Sequence, residues 1–136
     1  MRQRANRTIQ IAAALIDDGA GRLLLVWKAG TPWFMQAGGK IEDGEDALSA
    51  LRRKLGEEIG LSLADNEARS LGQFSAAAAN EADFVVKAEV FHVRTQHTPK
   101  TQLEIEEAVW VNYAEATTMP LAPLTRVHIL PLSQTL

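Results

Sequence analysis

Residues 38–61 read GGKIEDGEDALSALRRKLGEEIGL, a glycine-rich opening followed by a segment with helical periodicity. Leu48, Leu51, Leu55 and Ile59 recur at steps of three, four and four, the apolar stripe of an amphipathic helix. Asp43 and Asp46 offer a cap and a favourable negative charge at its start, and Gly60 supplies the stop. Gly56, inside the helix, costs about 1 kcal/mol relative to alanine, which implies either tight packing or a tolerated defect.

Six of the 17 acidic residues fall in this stretch: Glu42, Asp43, Glu45, Asp46, Glu57 and Glu58. At about 100° per residue, Lys54, Glu57 and Glu58 share an arc of about 100°, away from the apolar stripe. Adjacent carboxylates repel, and the negative end of the helix dipole disfavours them further. One explanation is a solvated face, with Arg53–Glu57 and Lys54–Glu58 as i,i+4 pairs worth about 0.3–0.5 kcal/mol each. The other is a divalent-cation site, with hard oxygen ligands facing a glycine backbone that a phosphate can approach closely.

Outward from this segment, the flanks alternate strand and turn signals. Ile9, Ile11, Ala13 and Leu15 share one side of an expected strand over residues 8–16. Asp17-Asp18-Gly19-Ala20-Gly21 is a turn cluster, and Leu23 to Trp27 completes a hairpin. Further strands are expected at Ser70–Ala78, at Phe84–Arg94 and around Ile105, Val109 and Val111. Pro120 and Pro123 introduce a short C-terminal helix with Leu124, Val127 and Leu130, which Pro131 is expected to end. Several strands with a central and a terminal helix imply a mixed sheet with helices packed on it, an α/β (α+β) domain.

Length and composition agree. The chain has 136 residues, 46% hydrophobic and 23% charged, which excludes collagen-like and disordered classes and favours a single domain over residues 1–136. With no cysteine, disulfide frameworks, thiolate metal sites and cysteine nucleophiles are all excluded. His92, His97 and His128 lack the spacing of a zinc-binding helix, so they read as packing or surface residues. A net charge of −3 argues against a nucleic-acid partner. Arg2, Arg4 and Arg7 precede the apolar run from Ile9 to Ile16, but that run is broken by Gln10 and stops at Asp17. It falls short of the roughly 20 residues a membrane span needs, so the expectation is a strand in a cytoplasmic protein without a membrane partner.

The 38–61 segment resembles the box of the Nudix (MutT-like) hydrolases, G-x5-E-x7-R-E-U-x-E-E-x-G-U with U a bulky aliphatic. Gly39, Glu45, Arg53, Leu55, Glu57, Glu58, Gly60 and Leu61 fall at eight of its nine specified positions. Gln36-Ala37-Gly38-Gly39-Lys40-Ile41-Glu42 resembles the stretch that leads into the box, with Ala37 where proline is usual, and Glu107 to Val111 resembles a later strand. The departure is Lys54, which stands where the pattern has the first glutamate of R-E-U-x-E-E.

The resemblance implies an α/β/α sandwich and Mg²⁺-dependent (or Mn²⁺-dependent) hydrolysis of a diphosphate linkage in a small nucleotide. It implies metal binding by Glu57, Glu58 and the backbone carbonyl of Gly39, and a substrate loop formed by Gly38, Gly39 and Lys40. Arg53 would orient the carboxylates, Glu57 foremost, while Glu45 would brace the loop against the helix. A protonated lysine cannot ligate magnesium, so Lys54 either pairs with Glu57 or Glu58 or contacts a substrate phosphate. The missing base must then come from Glu104, Glu106 or Glu107, with Glu104 the first choice. The alternative is a nucleotide-binding or regulatory module whose catalysis has weakened at Lys54. Family members are often homodimers, which makes a second copy an expected partner.

Substrate markers are sparse. No proline lies between Pro32 and Pro99, and the only tyrosine is Tyr113, so the ADP-ribose and dinucleoside-polyphosphate patterns are both missing. A nucleoside triphosphate remains by elimination. Trp27, Trp33, Phe34 and Phe74 are candidates for stacking a base, and Asn80-Glu81 for reading its edge.

Overall fold

The computed structural model describes residues 7–64, 66–79 and 83–136. Asn80 and Glu81 therefore lie outside the described residues. Strand β1 (Arg7–Asp17) is the axis of the molecule. It pairs in parallel with β6 (Phe84–Arg94) along its whole length, and β6 pairs antiparallel with β5 (Ala68–Ala77). The other edge of β1 is shared. Its middle meets β4 (Ala37–Lys40), and its end meets β2 (Arg22–Lys28). β2 in turn carries β3 (Phe34–Met35) and β7 (Ile105–Asn112). The described strands form one seven-stranded mixed sheet.

Helices cover both faces, and the period-2 alternation of β1 determines which residue meets which helix. Ala12, Ala14 and Ile16, with Leu24 and Val26 of β2, pack against Ala50, Leu51, Leu55 and Ile59 of α1 (Ala47–Ile59). Ala13 and Leu15, with Leu23 and Leu25, pack against Leu124, Ile129 and Leu130 at the C-terminus. The expected α/β/α arrangement is thus present, and residues Ala12 to Ile16 of β1 are apolar at every position because that half of the strand is covered on both faces. Alanine at 12, 13 and 14 lets both helices approach this strand closely.

The capping signals resolve unequally. Asp46 is the cap of α1, its carboxylate accepting the Ser49 N–H at 2.8 Å, and Gly60 ends the helix at φ +70°. Asp43 lies outside the cap. The glycine-rich opening is itself a strand, β4, whose Gly38 stands opposite Ala13. A short helix, α2 (Tyr113–Ala116), begins with a reciprocal cap between Asn112 and Glu115.

Pro131 does not end the C-terminal helix. A π-wound turn, Thr125–Ile129, leads directly into α3 (Leu130–Ser133), with Pro131 in the first turn of α3. Proline has no N–H to give and its ring crowds the carbonyl four residues back. The wider turn before it, in which the Leu130 N–H reaches Thr125 O, lets the chain keep its helical course.

Candidate active site

The site forms where β4, the end of β2 and α1 converge. Gly38 has φ +135°, and a β-carbon there would run into the Ala12 carbonyl of the neighbouring strand. Only glycine lets β4 lie this close to β1, which brings the Gly38–Lys40 backbone over the last turns of α1.

Glu58 is one of the largest fully buried side chains in the chain, 1% exposed. The solvated-face reading therefore fails for this residue. Its Oε1 accepts the Gly38 N–H at 3.1 Å, which ties the loop to the helix. Its Oε2 is enclosed with no hydrogen-bond donor among the described residues, although two ammonium groups stand near it. Lys28 Nζ lies 3.3 Å away and Lys54 Nζ 3.8 Å away. Burial pushes the Glu58 carboxyl up, against the pull of Lys28, the Gly38 N–H and Lys54.

Glu57, partly exposed, lies beside this group. Lys54 Nζ is 3.8 Å from its Oε1 and Arg53 Nη1 is 3.6 Å from it. The fork of Arg53 goes elsewhere: Nε and Nη2 donate to Glu45 at 2.8 and 2.9 Å, and Nη2 also donates to the Lys40 carbonyl at 3.2 Å. Glu45 thus occupies the bracing position expected of it, accepting the Glu42 N–H as well. Those bonds from Arg53 and the Glu42 backbone lower its carboxyl to about 2. Arg53 serves this brace first and Glu57 second, because the bidentate geometry is met only at Glu45.

Above the loop lies a cleft of about 320 Å³. Its lining joins the cationic side chains of Lys28, Lys40, Arg53 and Lys54 to the backbone of Gly38 and Gly39, with the carboxylate of Glu42 among them. The rest of the lining is largely aliphatic, with Ile9, Ile11, Met35 and Val86. Gln36 reaches the cleft too, and its Oε1 accepts the buried Thr125 hydroxyl at 2.7 Å.

Several expected residues fall outside this cleft. Glu104, Glu106 and Glu107 are exposed at the start of β7. Glu104 is held only through its backbone, its carbonyl accepting the Ala29 N–H at 2.6 Å. None of the four candidate aromatics lines the cleft. Trp27 tilts against Phe34, Trp33 donates to the Ala79 carbonyl, and Phe74 meets the His128 ring. The histidines bond within the fold: His92 bonds Asp17, His97 bonds the Ile59 carbonyl at the end of α1, and His128 bonds the Ser75 carbonyl.

Lys28 was not singled out by motif, yet its strand phase points to it. Leu24 and Val26 face α1, and two residues further along the strand stands Lys28, just past a register shift in the β2–β7 pairing.

The family model for the NUDIX domain matches residues 7–132. The chain belongs to the Nudix hydrolase family. The CTP pyrophosphohydrolase of Escherichia coli (strain K12) is 31% identical over 124 residues, covering 86% of this chain and 85% of that protein. The solution structure of the E. coli ORF135 protein superposes with a TM-score of 0.65 at 28% identity, covering 94% of this chain and 87% of that one. The MutT protein of Methanosarcina mazei Go1 shares the fold at a TM-score of 0.79 and 21% identity, over 98% and 97% of the two chains.

Nudix hydrolases generally use divalent metals, but the residues here do not fit a resident ion held jointly by Gly39, Glu57 and Glu58. The gap between Glu57 and Glu58 is bridged by Lys54. Its chain lies across Gly39 so closely that a β-carbon there would collide with Cε and sit 3.3 Å from Nζ. No described helix is long and apolar enough to cross a membrane.

Proposed function

We propose that this Nudix hydrolase cleaves a diphosphate linkage in a small nucleotide, with a nucleoside triphosphate as the preferred substrate. The observation that carries this reading is the lining of the cleft, in which cationic side chains and glycine backbone lie beside aliphatic side chains. Phosphates need positive charge and backbone at close range, which the Lys28–Lys40–Lys54 side supplies. A base needs apolar surface, which Ile9, Ile11, Met35 and Val86 supply. A volume of about 320 Å³ lies at the small end of ordinary ligand sites, suited to a mononucleotide. The name of the E. coli relative, a CTP pyrophosphohydrolase, supports the same substrate class.

In the proposed reaction water attacks a phosphorus of the diphosphate, and the bridging P–O bond breaks to leave a nucleoside monophosphate and pyrophosphate. Lys40 and Lys54 hold the phosphate oxygens and offset their developing charge, and Arg53 keeps the loop in register with α1. Glu57 and Glu104 are the carboxylates proposed to take the water's proton; Glu57 stands beside Arg53 and Lys54, which line the cleft, whereas Glu104 stands on the segment fastened to the end of β2. A second reading, a nucleotide-binding module of weakened turnover, is favoured by Lys54 bridging the carboxylate pair.

One assay separates them. Phosphate and pyrophosphate release is measured across nucleoside triphosphates, ADP-ribose, nucleotide sugars and dinucleoside polyphosphates, each with Mg²⁺, with Mn²⁺ and with chelator. Turnover of a triphosphate, reduced at least a hundredfold in Glu57→Gln or Glu104→Gln, supports the enzyme and identifies its base. Binding without turnover supports the second reading.

A further inference from the structure

The position of Lys54 has a consequence for the metal chemistry of this chain. Four side chains meet at the end of α1: Glu57, Glu58, Lys28 and Lys54. The two carboxylates face the two ammonium groups, and the Arg53 guanidinium also stands 3.6 Å from Glu57. Lys54 Nζ stands 3.8 Å from each carboxylate, and its stem crosses Gly39, whose carbonyl was the remaining expected ligand. The buried Oε2 of Glu58 is the one carboxylate oxygen in the group enclosed without a donor, with the ammonium groups of Lys28 and Lys54 at 3.3 and 3.8 Å from it. An ion placed here would have to displace Lys54 and then stand beside Lys28.

We propose that Lys54 is a built-in counter-ion, which occupies the place of a resident divalent metal between Glu57 and Glu58 and leaves phosphate binding independent of metal. This rests on the nucleotide reading above for its phosphate half and on geometry alone for its metal half. A lysine is a compact point charge on a flexible stem, so it neutralises the pair without the ligand geometry a divalent ion demands. The same ammonium lines the cleft, where it meets an incoming phosphate directly.

The test uses Mn²⁺ alone, titrated into the wild-type chain, Lys54→Gln and Lys54→Glu, with the paramagnetic resonance of free Mn²⁺ as readout. The expected result is weak, millimolar-range binding to wild type and at least tenfold tighter binding to both variants, tightest for Lys54→Glu. Equal affinity in all three overturns the proposal, as does tight binding to wild type. Circular dichroism melts confirm that each variant is folded, and Lys54→Gln keeps the test open if the added acid of Lys54→Glu prevents folding. An uncleavable α,β-methylene nucleoside triphosphate is then dialysed against each protein in chelator. Retention by wild type with at least a tenfold loss in Lys54→Gln supports the phosphate half; retention only with Mn²⁺ overturns it. Failure to bind the analogue under any condition removes the nucleotide reading instead, while the manganese titration still decides the counter-ion.

Discussion

Lys28 illustrates how much depends on single positions. It holds Glu58 at 3.3 Å and donates to the Gly38 carbonyl at 3.2 Å, so it joins three elements at one point. Lys28→Met leaves the buried carboxylate with the Gly38 N–H and the longer Lys54 contact, and breaking a buried pair costs up to about 3–5 kcal/mol. A thermal melt should show a large loss of stability that the double variant Lys28→Met/Glu58→Gln largely restores. Gly56 behaves in the opposite sense. It is exposed, and the nearest atom a β-carbon would meet, the Leu61 carbonyl oxygen, is 4.0 Å away. The glycine is a tolerated defect, so Gly56→Ala should stabilise the chain by about 0.5–1 kcal/mol, read as a raised denaturation midpoint. Sequence could state the alternatives for Gly56 but not choose, because the neighbours at this position come from the chain beyond the helix. It located Glu45, Arg53 and Glu58 by spacing, yet assigned Arg53 to Glu57. The distribution of a guanidinium fork among three carboxylates depends on loop geometry that spacing does not carry.

At the scale of elements, the helix α1 and the hairpin strands were legible because each follows a single period. The C-terminal helix was legible only in part. Its apolar residues were placed correctly, but Pro131 reads as a stop and is instead accommodated by the π turn before it. That turn also presents the Thr125 hydroxyl to Gln36 across the core, a contact between residues far apart in sequence. It links the outer helix layer to the floor of the cleft. Thr125→Val keeps the shape and removes the donor, leaving the buried Gln36 oxygen unsatisfied at a cost of about 1–3 kcal/mol. Chemical denaturation should show that loss, with nucleotide affinity falling as Gln36 loses its fixed orientation. β4 was not anticipated as a strand, since Ala-Gly-Gly-Lys carries none of the residues that favour one. It is extended because β1 offers it an edge and because glycine alone tolerates the approach.

For the whole molecule, charge networks tie the two ends of the sheet to pH. Backbone donation from Ala20, together with Arg22, lowers the Asp18 carboxyl to about 2, and Arg53 does the same for Glu45. Burial works against Asp17, but the bonds from His92 and Arg94 still hold it below the ordinary carboxylate range. Groups lowered in the folded state stabilise it above the unfolded value of about 4, and that contribution disappears as pH falls through the folded one. Glu58 has the opposite sign, since its raised carboxyl favours the fold more as pH drops. Asp46, at the cap of α1, is lowered as well, so four lowered groups stand against one raised group. The urea midpoint should therefore hold between pH 7 and 5 and decline steadily toward pH 2, more steeply in Glu58→Gln because the opposing contribution is gone. A midpoint that is flat to pH 2 would contradict these networks.

The parallel pairing of β1 with β6 also bears on how the chain reaches this state. Arg7 lies opposite Phe84 and Asp17 opposite Arg94, so the central ladder closes only after more than half the chain has been made and gathered. Hairpins such as β1–β2 and β5–β6 involve shorter loops, but neither buries both faces of β1. The nucleus must bring distant segments together against loop-closure entropy, which places this topology among slow-folding architectures. From Ala12 onward that ladder is covered on both faces, so its amides there should be among the slowest in the chain to open to solvent. The strand that carries no catalytic side chain is in this sense the clock of the molecule, setting both its assembly and its lifetime.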